Sequence, residues 1–246
     1  MNAIPITALA LAGLLIGWIQ RPIIFRLAVP TGEPPRRACP KCGHKVAPSG
    51  PLPVPVLPPS GRCPSCRARM GPPPLATELT TALLLGALAA RLHPPLVLAA
   101  AVWLAIFAGP LAWIDAAARR LPDVLTAPAY AGTMALLLGA AAASGHWNNL
   151  ARAVLGGLSL AAVYLIVVLI SPSGMGLGDV KLAASIGTLL AWFSWATLLA
   201  GAFAGFALGA IYALALLALR RATRKQHIPF VILSLPMAVG HVHDEP

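Results

Sequence analysis

The chain has 246 residues, of which 58% are hydrophobic and 10% charged, and its mean hydropathy is +0.79. A soluble domain carries about 25% charged residues, so the seven acids here are too few to solvate a globular surface. The abundance of Leu, Ala and Val excludes a disordered chain as well, which leaves a polytopic membrane protein with one modest water-exposed insertion.

Apolar runs of spanning length predict helices at 3–19, 75–92, 95–114, 124–143, 150–170, 180–198 and 199–219. A short eighth run at 228–240 contains Pro229 and Pro236. Trp192–Trp195 offers the turn between the sixth and seventh runs, where tryptophan suits a membrane interface. The expected fold class is all-α: about eight transmembrane helices carrying a small irregular insertion. The expected domains are a first transmembrane helix in 1–19, the insertion at 20–74, a seven-helix membrane domain at 75–240 and a tail at 241–246. The formal charge of +11 would point to nucleic acid in a soluble protein. In a membrane protein Lys and Arg collect in cytoplasmic loops instead. Placing the N-terminus outside puts 16 of the 18 Lys and Arg inside, nine of them between Arg21 and Arg69, and leaves Arg91 and Arg152 outside. The cations therefore read as orientation, with no nucleic-acid partner. No basic residue precedes the first run, so it reads as a retained N-out anchor and not as a cleaved signal peptide.

All four cysteines fall in the insertion, as Cys39-Pro-Lys-Cys42 and Cys63-Pro-Ser-Cys66. Two such knuckles can close a tetrahedral four-thiolate site for structural zinc. The stretch Ala47–Ser60 is too proline-rich for a helix or a central strand. A loop with so few apolar residues needs a metal to hold it. Disulfides, a redox-active CxxC pair and replacement of one thiolate by His44 are the competing readings. The cytoplasmic placement argues against the disulfides.

Acids in or beside membrane spans are costly and mark candidate sites. Asp115 closes the third predicted span, Asp123 opens the fourth after Pro122, and Asp179 opens the sixth after Gly174-Met-Gly-Leu-Gly178. Two carboxylates at one depth can share a proton, one acting as base on water and the other as acid to the leaving amine. Asp115 and Asp179 are the candidate pair. Gly176 and Gly178 leave room for a substrate backbone. Asp123 is either an ordinary first-turn acid or a supporting group, and Lys181 is a partner for any of the acids. A carboxylate at a helix C-terminus is electrostatically unfavourable, so a purely structural role suits Asp115 least. Glu78, within the second span, is either a buried packing partner or a ligand contact. No G-x-S-x-G, HExxH or Walker motif is present.

Gly174-Met-Gly-Leu-Gly-Asp-Val-Lys-Leu182, Asp115 with Leu121-Pro-Asp-Val-Leu-Thr126, both cysteine pairs, Pro74-Leu-Ala-Thr-Glu-Leu-Thr-Thr-Ala-Leu83 and Ile228-Pro-Phe230 together resemble the bacterial type IV prepilin peptidases. These are membrane aspartyl proteases with a GxGD motif, and the resemblance spans about residues 33–240. It implies that Asp115 and Asp179 are catalytic and that prepilins or pseudopilins are cut after a basic leader at the cytoplasmic face of the bacterial inner membrane. It also implies methylation of the new N-terminus with S-adenosylmethionine. Two stretches depart from the family. Gly17-Trp-Ile-Gln-Arg-Pro-Ile-Ile-Phe-Arg-Leu27 lacks the Asn of a GSFLNVVIYRLP-like pattern, and the linker between the knuckles is proline-rich where the family has Asn-Ile-Pro. Both departures bear on methyl transfer and substrate entry. Peptidase activity without methylation therefore stays open. So do a proton-relaying membrane assembly or transport protein and a protease of the signal-peptide-peptidase kind.

Overall fold

A computed structural model describes residues 3–30, 32–46, 60–170 and 176–218. Seven helices lie among them: α1 (Ala3–Leu27), α2 (Ala76–Arg91), α3 (Pro95–Ala118), α4 (Asp123–Ser144), α5 (Trp147–Ile170), α6 (Leu177–Phe193) and α7 (Trp195–Ala218). Four segments are long and apolar enough to cross a bilayer: Ile4–Leu27, Pro95–Ala118, Asp123–Ser144 and Trp147–Ile170. Trp195–Ile211 is a shorter apolar segment. The 16 residues of α2 and the 17 of α6 rise only about 24–26 Å, less than the roughly 30 Å hydrocarbon core. The fold is therefore that of an all-α, multi-pass membrane protein, with seven helices among the described residues where eight spans were expected. The eighth, 228–240, lies outside the described residues.

Two expected boundaries move. Helix α1 does not stop at residue 19 but continues through Pro22 to Leu27, because Ile24 and Phe25 are buried on that last stretch. The break between α6 and α7 is the single residue Ser194, inside the expected Trp192–Trp195 turn and not at the 198/199 boundary of the apolar runs. Its hydroxyl accepts the Thr197 N–H at 3.0 Å and so caps α7. The other end of the break is closed by Arg152, which donates to the carbonyls of Ala191, Trp192 and Phe193 at 2.6–2.7 Å. A cation there also suits the negative end of α6.

The chain divides into two compact units, Met1–Ala89 with Ala105–Pro122, and Ala90–Leu104 with Asp123–Pro246. In the first unit α1 lies directly on α2. A Cβ at Gly13 would stand 2.6 Å from Ala82 Cα, and one at Gly17 would stand 2.5 Å from Glu78 Cα. The two glycines form a G-x-x-x-G face on which backbones touch. Polar groups beside this contact are satisfied in pairs. Pro110 cannot donate to the Ile106 carbonyl, and the Gln20 amide does so instead at 3.0 Å. The Gln20 carbonyl oxygen in turn accepts from the Thr81 hydroxyl at 3.0 Å.

In the second unit α6 is buried nearly all round, with α4, α5 and α7 packed on it. The α5–α6 contact again runs through small residues: a Cβ at Gly187 would stand 3.0 Å from the Gly156 carbonyl oxygen. Thr188 returns its hydroxyl to the Ala184 carbonyl at 2.8 Å, so this hydroxyl is not an orphan donor in the apolar interior. Backbone contact at glycine makes a simple prediction. Gly17→Ala should destabilise the protein by about 1–3 kcal/mol through overpacking and lower the midpoint of its tryptophan-fluorescence melt. Gly139→Ala, on α4 with nothing within 4 Å of its would-be Cβ, should leave the midpoint unchanged or raise it slightly.

Candidate active site and metal centre

The insertion holds two knuckles of the same construction. The first is closed by the bridge of Ala38 with Lys45 and the second by that of Arg62 with Arg69. Inside them the Cys39 amide donates to the His44 carbonyl at 2.9 Å, and the Cys63 amide donates to the Ala68 carbonyl at 2.8 Å. The residue after each second cysteine has positive φ, Gly43 at 72° and Arg67 at 56°, so only the first knuckle has the residue type that favours it. The four sulfurs lie within 4.8 Å of one another, with Cys39–Cys66 and Cys42–Cys63 each at 3.6 Å. A tetrahedral ion with bonds of about 2.3 Å needs sulfur–sulfur edges of about 3.8 Å. The four cysteines therefore lie close enough to hold a metal ion. All four are thiols; the disulfide reading is not what the structure contains. The exposed His44 is not among the clustered ligands.

Two knuckle thiols are displaced in opposite directions. Amides of Lys41 and Cys42 donate to the Cys39 sulfur and bring its pKa down to about 6. At Cys66 the Ala68 amide pulls downward too, but partial burial and the other three sulfurs outweigh it and push the thiol up to about 12. Ionising one sulfur thus opposes ionising the next, and a divalent cation removes that opposition. Phe25, from the end of α1, is buried against Cys39, Cys63, Val46 and Met70. The continuation of α1 past residue 19 is what seats the knuckles.

Asp115 is half-buried near the end of α3 in the first unit. Its carbonyl accepts the Arg119 N–H at 2.8 Å where the helix closes. Arg120, just beyond, donates to the carbonyls of Leu27 and Pro30 at the end of α1. Asp179 is half-buried in the first turn of α6, in the second unit, and its carboxylate accepts the Gly176 N–H at 3.1 Å. Gly176 has an ordinary extended backbone, φ −92° and ψ 157°. A Cβ there would stand 3.8 Å from the Asp179 oxygen, so packing does not require this glycine. Gly178 follows inside the helix. Asp123 and Lys181 are brought together as an exposed ion pair at 2.5 Å, joining the first turns of α4 and α6.

Several groups in these units carry no motif. Tyr164, buried on α5 and tilted against Phe206 with ring centroids 5.5 Å apart, lies within electrostatic reach of Asp179. Arg21 is not a loop cation. It is buried and paired with Glu78 at 3.3 Å, and Thr77 donates to the same carboxylate at 2.9 Å. That assigns Glu78 to the packing reading. In the register of the departing stretch, Arg21 stands where the family pattern has Asn. The only forewarning in the sequence was an Arg and a Glu at the ends of two adjacent apolar runs.

These features define a polytopic membrane protein with a pair of cysteine knuckles able to hold a metal ion and acids at the ends of helices α3, α4 and α6. Residues 98–214 match the family model described as the Type IV leader peptidase family, and residues 11–92 match the Bacterial Peptidase A24 N-terminal domain. The chain belongs to the type IV leader peptidase family. It is 38% identical over 201 residues to the prepilin leader peptidase/N-methyltransferase of Pseudomonas aeruginosa, covering 80% of this chain and 67% of that protein. It is 34% identical over 199 residues to the protein of that name from Aeromonas salmonicida, with the same coverage. It is 29% identical over 258 residues to that from Pseudomonas putida, covering 92% of this chain and 85% of the relative. No solved structure matches. The multi-pass helices and the family together make this an inner-membrane protein. For the metal centre, Cys63→Ser should release the ion and unseat the insertion from Phe25. Elemental analysis should find stoichiometric metal on the wild-type protein only, and metal-free wild type would contradict the assignment.

Proposed function

We propose that the protein is a membrane aspartic endopeptidase that removes the basic leader of type IV prepilin-like substrates and then N-methylates the new terminal residue. The observation that carries this reading is the Gly176-Leu-Gly-Asp179 turn that opens α6 in a chain of the leader peptidase family. In this reading Asp115 and Asp179 share one proton across the resting pair. The ionised acid takes a proton from water as it attacks the scissile carbonyl, and the protonated acid gives its own to the departing amine. The Gly176 N–H holds the Asp179 carboxylate in one orientation, and the bare backbone at Gly176 and Gly178 leaves room for an extended substrate strand. Lys181 and Asp123 support the site by tying α6 to α4.

Cutting belongs at the cytoplasmic face in this reading, because 16 of the 18 Lys and Arg then lie inside, with the N-terminus outside. Prepilins or pseudopilins are the partners, with their apolar helices in the same bilayer. The metal is structural zinc on Cys39, Cys42, Cys63 and Cys66; four thiolates leave no open position for chemistry. Methyl transfer draws on S-adenosylmethionine. Strands among the described residues are limited to two bridges, so helices and loops must hold that donor. Arg21, which lies in the stretch that departs from the family pattern and is held by Glu78, favours a second reading in which the peptidase works without methylation.

Co-expression with a prepilin, read by intact mass of the pilin, tests both halves. Asp179→Asn and Asp115→Asn should each cut leader removal by at least about 100-fold while insertion and metal content stay normal. Undiminished cleavage in either variant would remove that residue from the pair. A product heavier by one methyl group supports the bifunctional reading, and an unmethylated product the second. The Asp123–Lys181 tie has its own test. Lys181→Asp should slow cleavage several-fold, as befits an exposed pair whose attraction is screened by solvent. The exchange Asp123→Lys with Lys181→Asp should recover most of that loss.

A further inference from the structure

In the second unit, a cavity of about 550 Å³ opens where the C-termini of α4 and α6 meet the N-termini of α3, α5 and α7. Arg91, His93, His146 and Asn149 are among its polar lining, and Val97 and Trp192 are part of its apolar wall. It lies at the far end of α4 from Asp123, and the 22 residues between amount to about 33 Å. The proposed chemistry at Asp123, Lys181 and Asp179 does not use it.

The lining has one sign of charge. Among the described residues no carboxylate lines the cavity. The backbone adds to this, because Leu96 and Val97 line the cavity from the first turn of α3, where N–H groups lack intrahelical partners and the helix end is positive. The opposing carbonyls at the end of α6 are already bound by Arg152. The side chains of Arg91 and His146, by contrast, make no hydrogen bond or ion pair with the described residues. Trp147 and Trp195, which open α5 and α7 at this end, are 54% and 47% exposed, and exposed tryptophan marks the headgroup level of a bilayer.

We propose that this cavity binds the phosphate-bearing headgroup of an anionic phospholipid. Arg91 and His146 contact the phosphate, and Trp192 and Val97 pack against the glycerol and the first acyl carbons. The tryptophans place the cavity at the depth where lipid phosphates are concentrated, which makes a lipid the occupant in preference to a free anion.

Native mass spectrometry of the full chain released from detergent tests this with phosphatidylglycerol, phosphatidylcholine and inorganic phosphate as separate probes. Phosphatidylglycerol should remain bound at collision energies that strip phosphatidylcholine. The Arg91→Gln/His146→Gln double variant should retain about tenfold less of it, and Arg91→Lys should keep most of it. Equal retention of the two lipids, or undiminished retention by the double variant, would overturn the proposal. So would inorganic phosphate displacing the lipid at millimolar concentration, since the occupant would then be the free ion. A measurement on the wild-type protein alone guards against a variant that misfolds. Brominated phosphatidylglycerol should quench tryptophan emission more than brominated phosphatidylcholine, and equal quenching would count against the site.

Discussion

Two helices inside a membrane gain nothing from hiding apolar surface from one another, because lipid tails are as apolar as leucine. What holds them is contact, and contact is closest where neither helix carries a side chain. Gly13 and Gly17 bring α1 onto the backbone of α2, and Gly156, Gly157 and Gly187 bring α5 onto α6. Two of the candidate functional features hang on these contacts. The first holds α1, whose far end carries Phe25 into the cysteine cluster. The second holds α6, whose first turn carries Asp179 and Lys181.

Bringing backbones together in a medium without water obliges every nearby polar group to find a partner. Gln20 is spoken for twice, by the carbonyl that Pro110 orphans and by Thr81. Glu78 is held by Arg21 and Thr77. Arg152, one of the two cations that the N-out reading leaves outside, closes the end of α6. Arg120, counted with the loop cations, closes the end of α1. A proline, a buried acid and two charged outliers thus have local explanations that need no reaction.

Much of this was legible beforehand. Class, helix order and the knuckle pair follow from apolar run length and cysteine spacing, both of which are one-dimensional signals. Family membership was legible because Gly174–Leu182 is long and specific. The end of α1 was not, because it depends on a tertiary partner: α1 runs on past Pro22 for the sake of Phe25, whereas the Trp192–Trp195 turn, which Arg152 and Ser194 close, was legible. The buried Arg21–Glu78 pair was equally hidden. Nothing in either residue's neighbours along the chain separates a cation in a loop from one with 4% of its side chain exposed.

Each knuckle of the insertion is closed by its own bridge, Ala38 with Lys45 and Arg62 with Arg69. The geometry within each knuckle is therefore set by a short hairpin-like loop of its own, and Phe25 packs against both. Neither bridge uses a residue between Lys45 and Arg62. Changes of length or composition in the sequence between them therefore leave the residues of both bridges as they were. A departure there says little about whether the two knuckles still meet.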